Sequence, residues 1–248
     1  MRYASAYLLA CFVLTVGATG SVEPKVVRLY GDLDLDGRVD TVTVTFFPER
    51  LREYNHYRVQ IGGAIYDGRG EALHGEATIV DIDSTDAFLE IAVPQWGPSD
   101  DDAVFFLRYV KGRVRLIGEV PGAKLVIDGS GKIRTKCVGQ ILCTWFYPCT
   151  FKWLPEAQVL AEQPQAFKPM RIKVTLKHDL QLSSQPVKWQ SSTTLKAGTR
   201  ATIDLTDDKL WLHIRSSQGS GWFFINGLRI YPSEIENQEM FDGLLMAD

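Results

Sequence analysis

The stretch Ala103–Val110 (AVFFLRYV), followed by Lys111-Gly112 and then Arg113–Val120 (RVRLIGEV), decides the fold. Both segments are rich in β-branched and aromatic side chains, the composition of strands. The Lys111-Gly112 pair between them supplies a tight turn, since glycine adopts positive φ without steric cost. The whole therefore reads as a β-hairpin. The rhythm extends in both directions. Strands are expected at Lys25–Tyr30, Thr41–Phe47, Tyr57–Ile61, Ala77–Ile82 and Phe88–Val93, and again at Leu125–Ile127, Gln140–Tyr147 and Thr150–Trp153. Turn chemistry falls at Gly62-Gly63, Asp67-Gly68, Gly97-Pro98 and Asp128-Gly129. No window of about twelve residues or more carries a helical apolar stripe, so the chain reads as all-β.

Gln163–Pro169, with two prolines among polar neighbours, reads as a linker. Strands resume at Arg171–Leu176, Thr193–Leu195, Arg200–Leu205, Leu210–Ser216 and Gly221–Ile225. The expected organisation is a β-rich domain over residues 24–164, a small barrel over 170–231 and an acidic C-terminal tail over 232–248. The tail's apolar cluster at Phe241, Leu244, Leu245 and Met246 would let it pack back as a short helix or strand.

The 248 residues carry a formal net charge of −3 and no basic run, which argues against nucleic acid as a partner. Arg2, the apolar stretch Tyr7–Val16 and the small residues Gly17–Gly20 follow the order of a secretory signal peptide over residues 1–20, cleaved after Gly20. The stretch is too short to span a bilayer. A lipoprotein anchor at Cys11 is the alternative. The expected location is secreted or periplasmic. Cys137, Cys143 and Cys149 remain after cleavage. In an oxidising compartment one pair can bridge. Cys143 and Cys149 flank an expected turn at Tyr147-Pro148 and could face each other there. Service as small apolar core residues is the other reading, and their spacing fits no zinc pattern.

Asp32-Leu33-Asp34-Leu35-Asp36-Gly37-Arg38-Val39-Asp40 has the D-x-D-x-D-G spacing of a calcium loop. Calcium takes six or more oxygen ligands, and carboxylates at alternate positions of a tightly wound loop can converge on one centre. Asp32, Asp34 and Asp36 are the expected side-chain ligands, the Arg38 carbonyl is next in line, and Asp40 closes the loop. Thr43 stands where an EF-hand has glutamate, and strands rather than helices flank the loop. The run Gly31–Val44 resembles the calcium loop of FG-GAP/VCBS-type repeats of secreted and cell-surface β-propellers. The resemblance implies a structural calcium ion held between two strands. Asp-containing turns recur at Asp32, Asp81 and Asp128, about every 48 residues, a period of the size that propeller blades give. The expectation is an antiparallel, propeller-like or partly closed β domain, with a plain sandwich or barrel as the alternative.

A looser cluster, Asp81, Asp83, Ser84, Asp86 and Glu90, lacks the third aspartate and the glycine. It reads either as a second metal site through Asp81, Asp83, Asp86 and Glu90 or as a hydrogen-bonding Asx turn. Asp100-Asp101-Asp102 reads as a solvated loop and Asp128-Gly129-Ser130-Gly131 as a turn.

Residues Arg171–Ile230 resemble a bacterial Src-homology-3-like domain. The matching pieces are Leu195-Lys196-Ala197-Gly198-Thr199, then Trp211, then Gly219-Ser220-Gly221-Trp222-Phe223. Ser183-Ser184 stand where an aromatic residue is common. The resemblance implies a binding module for a cell-wall component or an envelope protein. Trp189 and Trp211 are the candidate ligand-binding residues, since aromatic side chains offer flat apolar area with a polar handle. Trp222, flanked by glycine, reads as core.

His56, His74, His178 and His213 form no paired metal spacing, and neither a nucleophile elbow nor a phosphate loop is present. The expected function is that of an exported, non-catalytic binding or structural protein of the cell envelope, with structural calcium as the only cofactor. A periplasmic or secreted hydrolase, or a hydrolase inhibitor, is the alternative.

Overall fold

A computed structural model describes residues 23–48, 54–97, 102–122, 124–187 and 189–244. The segment expected to be a signal peptide, residues 1–20 with Cys11, and Asp100, Asp101, Leu245 and Met246 lie outside the described residues. The chain is all-β: its one described α-helix has four residues.

The strands fall into antiparallel meanders. The first is β1 (Lys25–Gly31), β2 (Asp40–Pro48), β3 (Tyr54–Ile61) and β4 (Ala64–Leu73). The second is β5 (Thr78–Val80), β6 (Glu90–Gln95), β7 (Ala103–Val110) and β8 (Arg113–Pro121). A single pairing of Leu73 with Gln95 joins the two into one eight-stranded sheet. The third meander is a separate four-stranded sheet: β9 (Val126–Ile127), β10 (Lys132–Gly139), β11 (Trp145–Leu154) and β12 (Val159–Glu162). In every unit the connection between the first and second strands carries one of the recurring aspartates.

The rest of the chain forms a nine-stranded, curled antiparallel sheet. Its strands are β13 (Lys168–Leu176), β14 (Leu180–Ser183), β15 (Ser191–Leu195), β16 (Arg200–Thr206), β17 (Trp211–Ser216), β18 (Gly219–Asn226), β19 (Arg229–Tyr231), β20 (Ile235–Glu236) and, after α1 (Asn237–Met240), β21 (Phe241–Asp242). β21 pairs with β13, and both Met240 at the end of α1 and Phe241 of β21 are buried. The described part of the acidic tail is thus built into the sheet.

Strand β7 explains why the Ala103–Val110 stretch is apolar along its length. Phe105 and Leu107 face a core shared with β2, β3 and β6, through Val44, Val59 and Ile91 among others. Val104 and Phe106 face the opposite way, into a second core. Alternate residues of a strand point to opposite faces, so burial of both faces demands a continuous apolar run. The second core continues without a break through Trp145, Tyr147 and Trp153 of β11 into Leu182, Ile214 and Phe223 of the third sheet. The proline-containing segment before β13 is short and bonded to β11: Gln163 N donates to Thr150 O (2.7 Å) and Gln165 Nε2 to Pro148 O (3.0 Å).

Three local expectations are corrected. Asp67-Gly68 is no turn but lies within β4, where Gly68 opposes Tyr57; a Cβ there would collide with the Tyr57 ring. Tyr147-Pro148 is no turn either, because β11 runs straight through it, with the Pro148 side chain exposed. Consequently Cys143 does not face Cys149. The disulfide joins Cys137 of β10 to Cys149 of β11, and Cys143 is a free, buried thiol whose pKa burial pushes up.

Candidate metal centre

The loop between β1 and β2 is wound by two residues of positive φ, Leu35 (51°) and Gly37 (87°). This winding is the local consequence of the aspartate spacing, since Asp32 accepts from the amides of Asp36 (3.0 Å) and Gly37 (2.8 Å). Asp36 in turn accepts from Arg38 N (2.8 Å). Leu33 is fully buried and pins the loop to the core, and its amide donates to Asp40 Oδ2 (3.0 Å). The outcome is a group of three half-buried carboxylates, Asp32, Asp34 and Asp40, each offering an oxygen within 4.8 Å of the others. Asp36, an expected ligand, is exposed and outside this group. An all-oxygen, triply anionic donor set suits a hard cation such as calcium or magnesium rather than zinc or copper.

The second acidic cluster begins in the same way. Buried Ile82 follows Asp81 as Leu33 follows Asp32, and Ile82 N donates to Glu90 Oε2 (3.0 Å) as Leu33 N donates to Asp40. From there the two diverge. Arg108 reaches across from β7, its Nε donating to Glu90 Oε1 (2.7 Å) and its Nη1 to Asp86 Oδ2 (2.8 Å); its Nη2 also meets Glu90 Oε1. Its guanidinium carbon lies 4.0 Å from the Trp153 ring centre and 5.0 Å from that of Phe88. Glu90 and Arg108 are almost completely buried. Burial pushes the Glu90 carboxyl up, and Arg108 and the Ile82 amide pull it back. Asp83 forms an Asx turn, accepting from Thr85 N (3.1 Å) and Thr85 Oγ1 (2.6 Å). Asp81, Asp83, Asp86 and Glu90 therefore do not converge on a shared centre: two of them hold an arginine.

At the third position Asp128 accepts from Ser130 and pairs with Arg134 (2.8 Å) in an exposed turn. Ser130 and Arg134 together hold its carboxyl below the ordinary range. The three loops are also neighbours. Leu89 N donates to Leu33 O (2.9 Å), Ser84 N to Gly129 O (2.9 Å) and Gly131 N to Ile82 O (2.8 Å).

The aromatic candidates lie elsewhere, on the outer face of the third sheet. Trp211 stands opposite Phe224, and Phe224 opposite Tyr231. Trp189 packs edge-on against Tyr231 at 5.3 Å. Trp222 is half-buried rather than core, between Phe167 and His213. The sequence reading overlooked Arg108, although it is the only charged residue in AVFFLRYV. A lone charge in a strand buried on both faces must have a partner.

No family model matches the chain, and neither does any curated protein or solved structure.

Proposed function

We propose that the protein is an exported, non-catalytic scaffold of the cell envelope, stabilised by calcium at the β1–β2 loop. Its C-terminal sheet would act as a Src-homology-3-like module that docks to a wall component or an envelope protein. The three meanders are read as propeller-like blades, each starting with a strand and an aspartate loop. The convergence of Asp32, Asp34 and Asp40 within 4.8 Å carries the calcium reading. Three carboxylates this close repel one another unless a cation or protons intervene. The Cys137–Cys149 disulfide fits an oxidising compartment.

Thermal unfolding of the chain without residues 1–20 tests this reading. At millimolar calcium and the affinity common to extracellular sites, the ion should add about 1–2 kcal/mol. That corresponds to a fall of roughly 2–8 °C in the midpoint when excess chelator is added. An unchanged midpoint defeats the calcium assignment. Co-sedimentation with purified cell wall tests the docking role, which fails if the protein stays in the supernatant.

A further inference from the structure

We infer that the outer face of the third sheet is a docking strip for an acidic polysaccharide; this deepens the docking reading above and rests on it. The strip begins with the aromatic row. Register places Trp211, Phe224 and Tyr231 side by side on β17, β18 and β19, with ring centres 5.3 and 6.1 Å apart. Cross-strand aromatic pairs stabilise any sheet. These rings, however, do not bury themselves by pairing. Tyr231 is 40% exposed, and Trp189, Trp211 and Phe224 are only half-buried, so the row offers ring surface to solvent.

Two residues along β17 brings His213 to the same face, and two more brings Arg215, a total of about 13 Å from Trp211 at strand rise. There the face opens into a cleft of about 590 Å³, lined by Lys173, Thr175, Arg200, Thr202, Arg215 and Asp242 among others. Lys173, Arg200 and Arg215 thus outnumber the two carboxylates at this end of the face, Asp242 and Asp204. Lys173 and Arg200 form no ion pair among the described residues, and Arg215, 66% exposed, shares Asp204 with His213. A local positive excess on a chain with a net charge of −3 favours an anionic partner.

The face presents side chains only. Between β13, β16, β17 and β18 its backbone groups are consumed by pairing, and the other side of β13 pairs with β21 at Thr175 and Leu176. An extended peptide gains its affinity from main-chain bonds at an open edge, which the interior strands under the aromatic row, β17 and β16, do not provide. A sugar chain needs none: its C–H faces stack on rings, its hydroxyls meet Thr175 and Thr202, and its carboxylates meet guanidinium groups.

Affinity electrophoresis of the chain without residues 1–20 tests the strip, with polygalacturonate, neutral dextran or single-stranded oligothymidylate in the gel. Retardation by polygalacturonate but not by dextran is expected. Trp189→Ala and the Arg200→Ala/Arg215→Ala double variant should each weaken it about tenfold or more, with unfolding midpoints kept as a control. Trp189 precedes β15, outside any strand, so its loss spares the sheet. Retardation that survives Trp189→Ala is attraction by charge alone and overturns the inference, as does equal retardation by dextran or stronger retardation by the oligonucleotide. If no polymer retards the protein while it still co-sediments with cell wall, the inference fails and docking stands. If polygalacturonate retards it but wall does not pellet it, the wall reading fails and the strip stands.

Discussion

The loops after β1 and β5 share a beginning and differ in what answers their charge. In each, an aspartate is followed by a fully buried apolar residue, Leu33 or Ile82, whose amide donates to the closing acid, Asp40 or Glu90. In the first loop Asp32, Asp34 and Asp40 converge half-buried, and among the described residues no cationic side chain bonds to them. In the second the closing acid is buried, and Arg108 supplies the positive charge from a neighbouring strand. The lesson is physical. A carboxylate cluster that the fold keeps near solvent can wait for an ion, whereas one carried into a core must bring its own counter-charge or not fold.

Removing that counter-charge should have the largest effect. Arg108→Met keeps most of the volume against Trp153 and Phe88 but strands Glu90 and Asp86. Breaking a buried pair from one side costs about 3–5 kcal/mol. Burial already raises the Glu90 carboxyl, and without Arg108 it rises further. A folded-state pKa above the unfolded one favours the fold at low pH, and the benefit is lost as pH rises through the folded value. The deficit of Arg108→Met should therefore be greatest at neutral pH and shrink in acid, as denaturant titrations at several pH values would show. A deficit independent of pH would mean that packing, not charge, is what Arg108 provides.

The next test separates members of the first loop. Asp34→Ala should abolish the calcium-dependent shift in unfolding midpoint, because Asp34 belongs to the convergent group. Asp36→Ala should preserve it. Asp36 stands outside the group and bonds Arg38 N, so its loss costs about 0.5–1 kcal/mol with or without calcium. If Asp36→Ala also erased the calcium response, the ligand set expected from the spacing would be right and the observed grouping too narrow.

How much of this was legible depends on how far apart the partners lie in the chain. The aspartate loop was readable because its carboxylates fall within nine consecutive positions, and AVFFLRYV was readable because a strand buried on both faces is apolar throughout. Arg108 was not, since its partners Glu90 and Asp86 lie 18 and 22 residues away and meet it only through pairing of β6 with β7. The disulfide was missed for a different reason. Residues 132–137 alternate charged and uncharged side chains, and Ile133, Thr135 and Cys137 are buried while Lys132, Arg134 and Lys136 are exposed. That alternation signals a strand. Reading Tyr147-Pro148 as a turn diverted Cys149 to the wrong partner, although proline is tolerated within a strand where its missing N–H is not needed.

The smallest effect belongs to the third loop, where the comparison reaches its limit. Asp128 is exposed, and Ser130 and then Arg134 lower its carboxyl pKa. A folded pKa below the unfolded one contributes stability above the usual carboxyl range and loses it as pH falls through the folded value. Asp128→Asn retains an oxygen to accept from Ser130 and removes only the charge facing Arg134. The variant should therefore be slightly less stable than the parent near neutral pH and indistinguishable from it in strong acid, measured by paired thermal melts. A difference that persisted in acid would show that Asp128 acts through turn geometry rather than charge. On the expected outcome the three loops form a series set by burial: a solvent-exposed arginine pair at the third turn, a half-buried carboxylate group at the first loop and a buried arginine at the second.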